Sequence, residues 1–231
     1  MNGKAGAILL AAGHGRRLGH DKSITSIAGR PVLAYGLDAL LACREIERVV
    51  VTVRTDVLEE ATTWVNKEFS SERARVRVIP GGKERQDSVG QGLEALGEGM
   101  EWAVVHDAAR VLLTARLTEM VLAEARKSGA AAAARKMSDT VREADAHGRI
   151  VKLVNREGLW RMETPQVVRI DVLRAGLAKA RSGKIMVTDC LAAAELVGVQ
   201  GVLVEADEPN LKITTPADWL LAEAWLKSQI K

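Results

Sequence analysis

The chain has 231 residues, 47% of them hydrophobic, enough to bury the core of one α/β domain. Aromatic residues reach only 3% and the net charge is +3, which argues against a stacking platform or a polynucleotide partner. Two cysteines without ligand spacing argue against a zinc site or a disulfide framework, and no apolar run approaches the ~18 residues of a membrane span. The expectation is a cytoplasmic protein with no nucleic acid and no membrane among its partners.

Predicted strands and helices alternate. Residues 5–10 are apolar throughout, the pattern of a strand buried on both faces. Pro31 stands where a helix can begin, and 32–43 carry Leu33, Leu37, Leu40 and Leu41 on one face. Valine-rich 48–53 reads as a second strand. Asp56 is a candidate cap for a helix striped by Leu58, Ala61, Trp64 and Val65. A third strand, 75–79, stops at Pro80-Gly81-Gly82, and the helix 86–96 presents Val89, Leu93 and Leu96. Strand 102–105 ends on His106-Asp107. Thr114 is placed to cap a helix running to Lys127 and closed by Gly129, and 130–134 forms a strand of small residues. This succession predicts a single Rossmann-like α/β domain over 1–231, with a mostly parallel, helix-flanked sheet.

Residues 138–158 break the rhythm. Thr140-Val141-Arg142 and 150–154 flank the turn Asp145-Ala146-His147-Gly148, predicting a protruding β-hairpin with polar faces. A two-stranded ribbon is marginal alone in water, so this arm is expected to dock on something, a second copy of the chain being the candidate. Helices follow at 171–180 and 190–196, then a strand at 201–205 and a final helix at 215–227.

The chemistry-bearing residues gather at strand ends. Gly13-His14-Gly15-Arg16-Arg17 follows the first strand, at the crossing where open α/β sheets bind ligands. Glycines let the backbone approach a phosphate chain, and arginines neutralise it. A dinucleotide fingerprint needs a glycine where Leu18 stands, and no Walker loop is present, so a triphosphate site here is of another kind. Lys22 is either a solvated loop lysine or a cation for the α-phosphate, stabilising charge that builds at phosphorus. Gly81-Gly82 forms a second turn, with Ser88 either a ligand hydroxyl or a helix cap. Asp107, at the tip of a buried strand, is costly without a partner; a Mg²⁺ on triphosphate oxygens satisfies it, as does capping a turn. Arg110 serves an anionic substrate or pairs with Asp107, while Arg156 and Lys212, each taken alone, are as readily surface cations. No Ser-His-Asp arrangement stands out. The set points to phosphoryl or nucleotidyl transfer without a covalent enzyme intermediate.

Further along come Asp139-Thr140, Asn155-Arg156-x-Gly158-Leu159-Trp160, Thr164-Pro165-Gln166, Thr188-Asp189 and Asn210-Leu211-Lys212-Ile213-Thr214. With Ala11-Ala12-Gly13-x-Gly15-Arg16-Arg17, Lys22, Gly81-Gly82-x-x-Arg85-x-x-Ser88-Val89 and His106-Asp107-Ala108-Ala109-Arg110, this ordered set spans nearly the whole chain. It resembles the 2-C-methyl-D-erythritol 4-phosphate cytidylyltransferases of the non-mevalonate isoprenoid pathway.

The resemblance implies a nucleotidyltransferase fold, a homodimer formed through the arm, and Mg²⁺. The implied reaction joins CTP and methylerythritol phosphate with release of pyrophosphate. Arg17 and Lys22 would stabilise the pentacoordinate α-phosphate. Backbone at Ala11, Ala12, Gly13, Gly15, Gly81, Gly82 and Lys83, with Ser88, would hold the nucleotide. Asp107 would sit near metal and acceptor, and Arg156 and Lys212 would position the acceptor phosphate. Ala108, Arg110, Thr140, Thr164 and Thr188 fall among the implied substrate-binding positions, Thr140 and Arg156 acting in the neighbouring subunit's site. The chain departs from the family pattern at Asp21-Lys22-Ser23-Ile24, where Pro-Lys-Gln is usual. It departs again at Val111, in place of proline, and at Cys190, in place of glutamate. Ribitol 5-phosphate as acceptor, and a non-catalytic nucleotide-binding protein, are the rival readings.

Overall fold

The computed structural model describes residues 3–13 and 24–229. In chain order these form β1 (Ala5–Ala11), β2 (Ser26–Ile27), β3 (Arg30–Pro31), α1 (Val32–Ala42), β4 (Ile46–Val53), α2 (Leu58–Glu68), β5 (Val76–Pro80), α3 (Arg85–Leu96) and β6 (Trp102–Asp107). Then follow α4 (Ala115–Ser128), β7 (Ala130–Lys136), β8 (Val141–Ala144), β9 (Ile150–Val154), β10 (Trp160–Arg169), α5 (Ile170–Ser182), α6 (Cys190–Glu195), β11 (Val202–Glu205) and α7 (Pro216–Gln229).

The central sheet has the order β11-β7-β10-β6-β1-β4-β5. β1 pairs in parallel with β4 on one side and β6 on the other. The chain therefore builds outward through β4 and β5, then returns across β1. That reversal leaves a crevice at the carboxyl ends of β1 and β6, where such sheets take ligands.

Period-two alternation sorts each strand between two helical layers. Ala5, Ala7, Leu9 and Ala11 of β1 share a core with Leu37 of α1, Val65 of α2 and Val121 of α4. Ile8 faces the other layer, with Leu93 of α3, Leu173 of α5 and Leu191 of α6. A third cluster seats Ala222 and Leu226 of α7 with Ile27, Val32, Val111 and Ile213. Thr114 caps α4, its hydroxyl accepting the Leu117 N–H at 3.2 Å, and Gly129 ends the helix at φ +90°. Asp56 is not the cap expected for α2. A 3-10 turn intervenes, Val57 is the N-cap, and Asp56 accepts from the Arg54 guanidinium.

Two features depart from the sequence reading. β10, unpredicted, is a ten-residue strand lying antiparallel between β6 and β7. Its register slips between Met162 and Gln166, around Pro165, which has no N–H for a ladder. Glu163, Thr164 and Gln166 are buried within it. The hairpin β8–β9 forms where expected, its turn fixed by Asp145 Oδ1, which accepts the N–H groups of His147 and Arg149. Its faces are mixed, however: beside the exposed Arg142 and the Glu143–Lys152 ion pair, Ile150, Val151 and Leu153 are 67%, 58% and 59% exposed.

α5 and α6 approach so closely that a Cβ on Gly176 would lie 2.1 Å from the Ala193 carbonyl oxygen. Overpacking costs about 1–3 kcal/mol and outweighs the ~1 kcal/mol of helix propensity that alanine gains over glycine. Gly176→Ala is therefore expected to lower the urea midpoint, and an unchanged midpoint would show that the backbone yields freely there.

Candidate active site

The crevice is built from glycine turns that touch. β1 runs out into Ala12-Gly13, and β5 into Gly81-Gly82. A Cβ on Gly81 would fall 2.4 Å from the Ala12 Cβ, so only glycine permits this approach. The Gly81 N–H donates to the Val53 carbonyl at 2.7 Å, and the Gly82 N–H to Ser88 Oγ at 3.0 Å. Ser88 Oγ donates onward to the Glu84 carbonyl at 3.3 Å. Ser88 thus braces the turn. The cap of α3 is Glu84, in a reciprocal capping box with Asp87. Lys83 is exposed beside it.

Across the crevice, β6 delivers Asp107, whose side chain is 13% exposed. Lys212 Nζ donates to Oδ2 at 2.7 Å, and Arg85 Nε stands 3.5 Å from Oδ1. Burial opposes the charged form, but Arg85 and Lys212 prevail and hold the carboxyl well below the usual carboxylate range. Arg85 reaches further. Its Nη2 donates to Gln166 Oε1 at 3.1 Å and its Nη1 to Cys190 Sγ at 3.7 Å. Gln166 Oε1 also accepts the Cys190 N–H at 2.9 Å. Gln86 Oε1 takes the Val187 N–H at 3.0 Å, so α3 holds the stretch that carries the exposed Thr188.

His106, fully buried, organises the backbone behind Asp107. The Arg110 carbonyl can only accept, so His106 Nε2 carries the proton and donates to it at 3.1 Å. Nδ1 then accepts the Thr164 hydroxyl at 3.0 Å, while Thr164 Oγ1 accepts the Asp107 N–H at 3.1 Å. Burial lowers the His106 pKa to about 4 and keeps the ring neutral. Arg110, 8% exposed, makes its ion pair with Glu163, at 3.9 Å, rather than with Asp107. Its Nη1 donates to the Asn210 carbonyl at 2.6 Å. Asn210 Nδ2 donates to Glu163 Oε2 at 3.0 Å and to the Thr164 carbonyl at 2.7 Å. These bonds pin the segment that presents Lys212.

The structure thus gathers Ala11, Ala12, Gly13, Gly81, Gly82, Ser88, Asp107, Ala108, Thr164 and Lys212 around one end of the sheet. Thr140 and Arg156 are exposed at the base of the arm, where Arg156 donates to the Ser138 carbonyl. Gly15, Arg17 and Lys22 lie outside the described residues. Arg85, Gln166 and Asn210 were not singled out as site residues by sequence reasoning, although each falls inside a recognised motif. Among the described residues no three His, Cys, Asp or Glu side chains cluster as metal ligands. Asp107 is a lone carboxylate already flanked by two cations. Such a donor fits a Mg²⁺ whose remaining ligands are phosphate oxygens and water, not one held by protein alone. Among the described residues no helix is long and apolar enough to cross a membrane.

Residues 6–228 match the family model IspD: 2-C-methyl-D-erythritol 4-phosphate cytidylyltransferase. Proteins of that name include one from Dehalococcoides mccartyi, 37% identical with 98% of each chain covered. Another, from Pelotomaculum thermopropionicum, is 36% identical over 98% of this chain and 95% of its own. Among solved structures, the 4-diphosphocytidyl-2C-methyl-D-erythritol synthase of Anaerococcus prevotii superposes with a TM-score of 0.85 at 27% identity, covering 98% of this chain and 97% of that one.

The neutral His106 makes stability depend on pH. Above its ordinary value of 6.5, folded and unfolded chains both hold it neutral. Between 6.5 and about 4 only the unfolded chain takes up the proton, so stability falls with acid, by at most ~1.4 kcal/mol per pH unit. Urea unfolding from pH 7 to 5 is expected to show a shallower acid loss in His106→Gln than in the parent; parallel slopes would contradict the buried neutral ring.

Proposed function

The chain belongs to the 2-C-methyl-D-erythritol 4-phosphate cytidylyltransferase family, acting as a nucleotidyltransferase that moves the cytidylyl group of CTP to methylerythritol phosphate in the non-mevalonate pathway, and on that premise we propose how its residues share the work. The observation that carries the assignment is Asp107, a largely buried carboxylate at the sheet's switch point between two cations from distant parts of the chain. CTP lies over the ends of β1 and β5, bordered by Ala11, Ala12, Gly13, Gly15, Gly81, Gly82 and Lys83. Gly81 and Gly82 turn their N–H groups inward, so what they contribute is room for the nucleotide, with Ser88 holding the turn. Arg17 and Lys22 stabilise the pentacoordinate α-phosphate. Lys212, its side chain 44% exposed, and Arg156 orient the acceptor phosphate, helped by Arg110 and Thr188.

A phosphate monoester is already an anionic nucleophile near neutral pH, so no strong general base is required. Catalysis is alignment and charge neutralisation for an in-line displacement that expels pyrophosphate. Asp107, backed by Thr164 and Ala108, would hold Mg²⁺, which supplies further neutralisation of phosphate oxygens when bound. Two buried free thiols suit a reducing cytoplasm. The arm, 138–158, carries exposed apolar side chains and among the described residues pairs with no other strand, which suits a contact with a second copy. Thr140 and Arg156 then act in the neighbour's site.

Pyrophosphate release is the direct assay. It is expected with CTP, Mg²⁺ and methylerythritol phosphate, and not with ribitol 5-phosphate or with ATP, GTP or UTP. Arg17→Ala and Lys22→Ala should each lower kcat about 100-fold, the range of a lost transition-state contact. Near-normal turnover in both variants would remove them from the mechanism. For the arm, Ile150→Asp with Leu153→Asp is expected to give monomers with poor turnover in analytical ultracentrifugation and assay; an intact, active dimer would rule out the arm as the contact.

A further inference from the structure

We infer that Arg85 is a positioning residue for this reaction, holding the Asp107 carboxylate and the 188–190 stretch in fixed register with the nucleotide turn. The inference rests on the role assigned to Asp107 above. Every nitrogen of the Arg85 guanidinium is engaged. Nε faces Asp107 at 3.5 Å, Nη2 donates to Gln166 and Nη1 to Cys190. One planar fork from the first turn of α3 therefore joins the end of β6, the interior of β10 and the start of α6. A rigid fork sets relative orientation as well as distance, which a flexible point charge does not.

The two cations on Asp107 are not equivalent. Lys212 is 44% exposed and sits on a stretch outside any helix or strand, whereas Arg85 is 27% exposed and anchored at two further points, Gln166 and Cys190. When Lys212 turns to an acceptor phosphate, Arg85 is the cation that keeps Asp107 charged and aimed. Its capacity is not divided. Among the described residues Asp107 is its one ion-pair partner, and its other contacts are an amide oxygen and a weakly accepting thiol. The nucleotide turn does not depend on it, because the Glu84–Asp87 capping box and Ser88 hold that turn separately.

The test compares R85Q, R85K, D107N and the R85Q/D107N double variant. For R85Q, kcat/KM for the acceptor is expected to fall about 10–100-fold, the usual loss when a partner of a functional ligand is removed. CTP affinity by calorimetry is expected to hold at the parent value. R85K keeps the charge but not the fork, so it is expected to recover little. If R85Q does not fold, R85K carries the measurement. If Arg85 acts through Asp107, the double variant is no worse than D107N, whereas a merely structural role adds its full loss. Full activity in R85Q or R85K overturns the inference, as does a parallel loss of CTP affinity or an undiminished loss in the D107N background. A fully active D107N removes the Asp107 assignment as well, while an impaired D107N beside a fully active R85Q removes only the part given to Arg85.

Discussion

A carboxylate taken out of water is unstable unless something nearby replaces the lost hydration, and most of this site is arranged around that requirement. Desolvating one such charge costs several kcal/mol, even after relaxation. Asp107 meets it with Arg85 on one oxygen and Lys212 on the other, cations delivered by α3 and by a coil segment far away in sequence. The neighbouring His106 is kept neutral by burial, so no third positive charge tips the balance. Its ring instead fixes the Thr164 hydroxyl and the Arg110 carbonyl, and through them the Asp107 N–H. One charge at a strand tip thereby dictates the placement of β10 and of the segment before α7.

β10 extends the same logic into the sheet. A strand at the centre of a buried sheet is normally apolar. This one buries Glu163, Thr164 and Gln166, each satisfied by a group that other elements supply. Glu163 lies 3.3 Å from Arg161, 3.8 Å from Arg135 and 3.9 Å from Arg110, and also accepts from Asn210. Three arginines against one carboxylate leave surplus positive charge near the crevice, a field suited to anionic substrates. The stability of this sheet therefore rests on polar satisfaction at its middle and on apolar packing elsewhere.

The arm obeys different physics. Domain strands such as β7 are lined with alanines that let helices approach on both faces, and their burial is complete. Among the described residues β8 and β9 pair only with each other, and their apolar side chains face outward. A ribbon of this kind gains little from folding alone and has most to gain from being covered. The domain is thus self-sufficient in its core, while the arm leaves apolar side chains uncovered.

Local pattern in the sequence was enough to determine the alternating strands and helices, the Thr114 cap and Gly129 stop of α4, the hairpin turn, and the placing of charged residues at strand ends. Each is written in neighbouring residues: an apolar run, a capping hydroxyl, a glycine, an aspartate before a turn. The ordered motifs likewise carried the chemistry, because an anionic substrate demands cations and bare glycines whatever the fold. β10 was hidden because its buried polar residues and its proline read as loop until partners from α3, β6 and the Lys212 segment are in place. The same holds for the pairing of Arg110 with Glu163 and for the Arg85 fork. Only the folded chain decided these, since the groups that make them favourable lie tens of residues away in sequence and meet solely through the order of strands in the sheet.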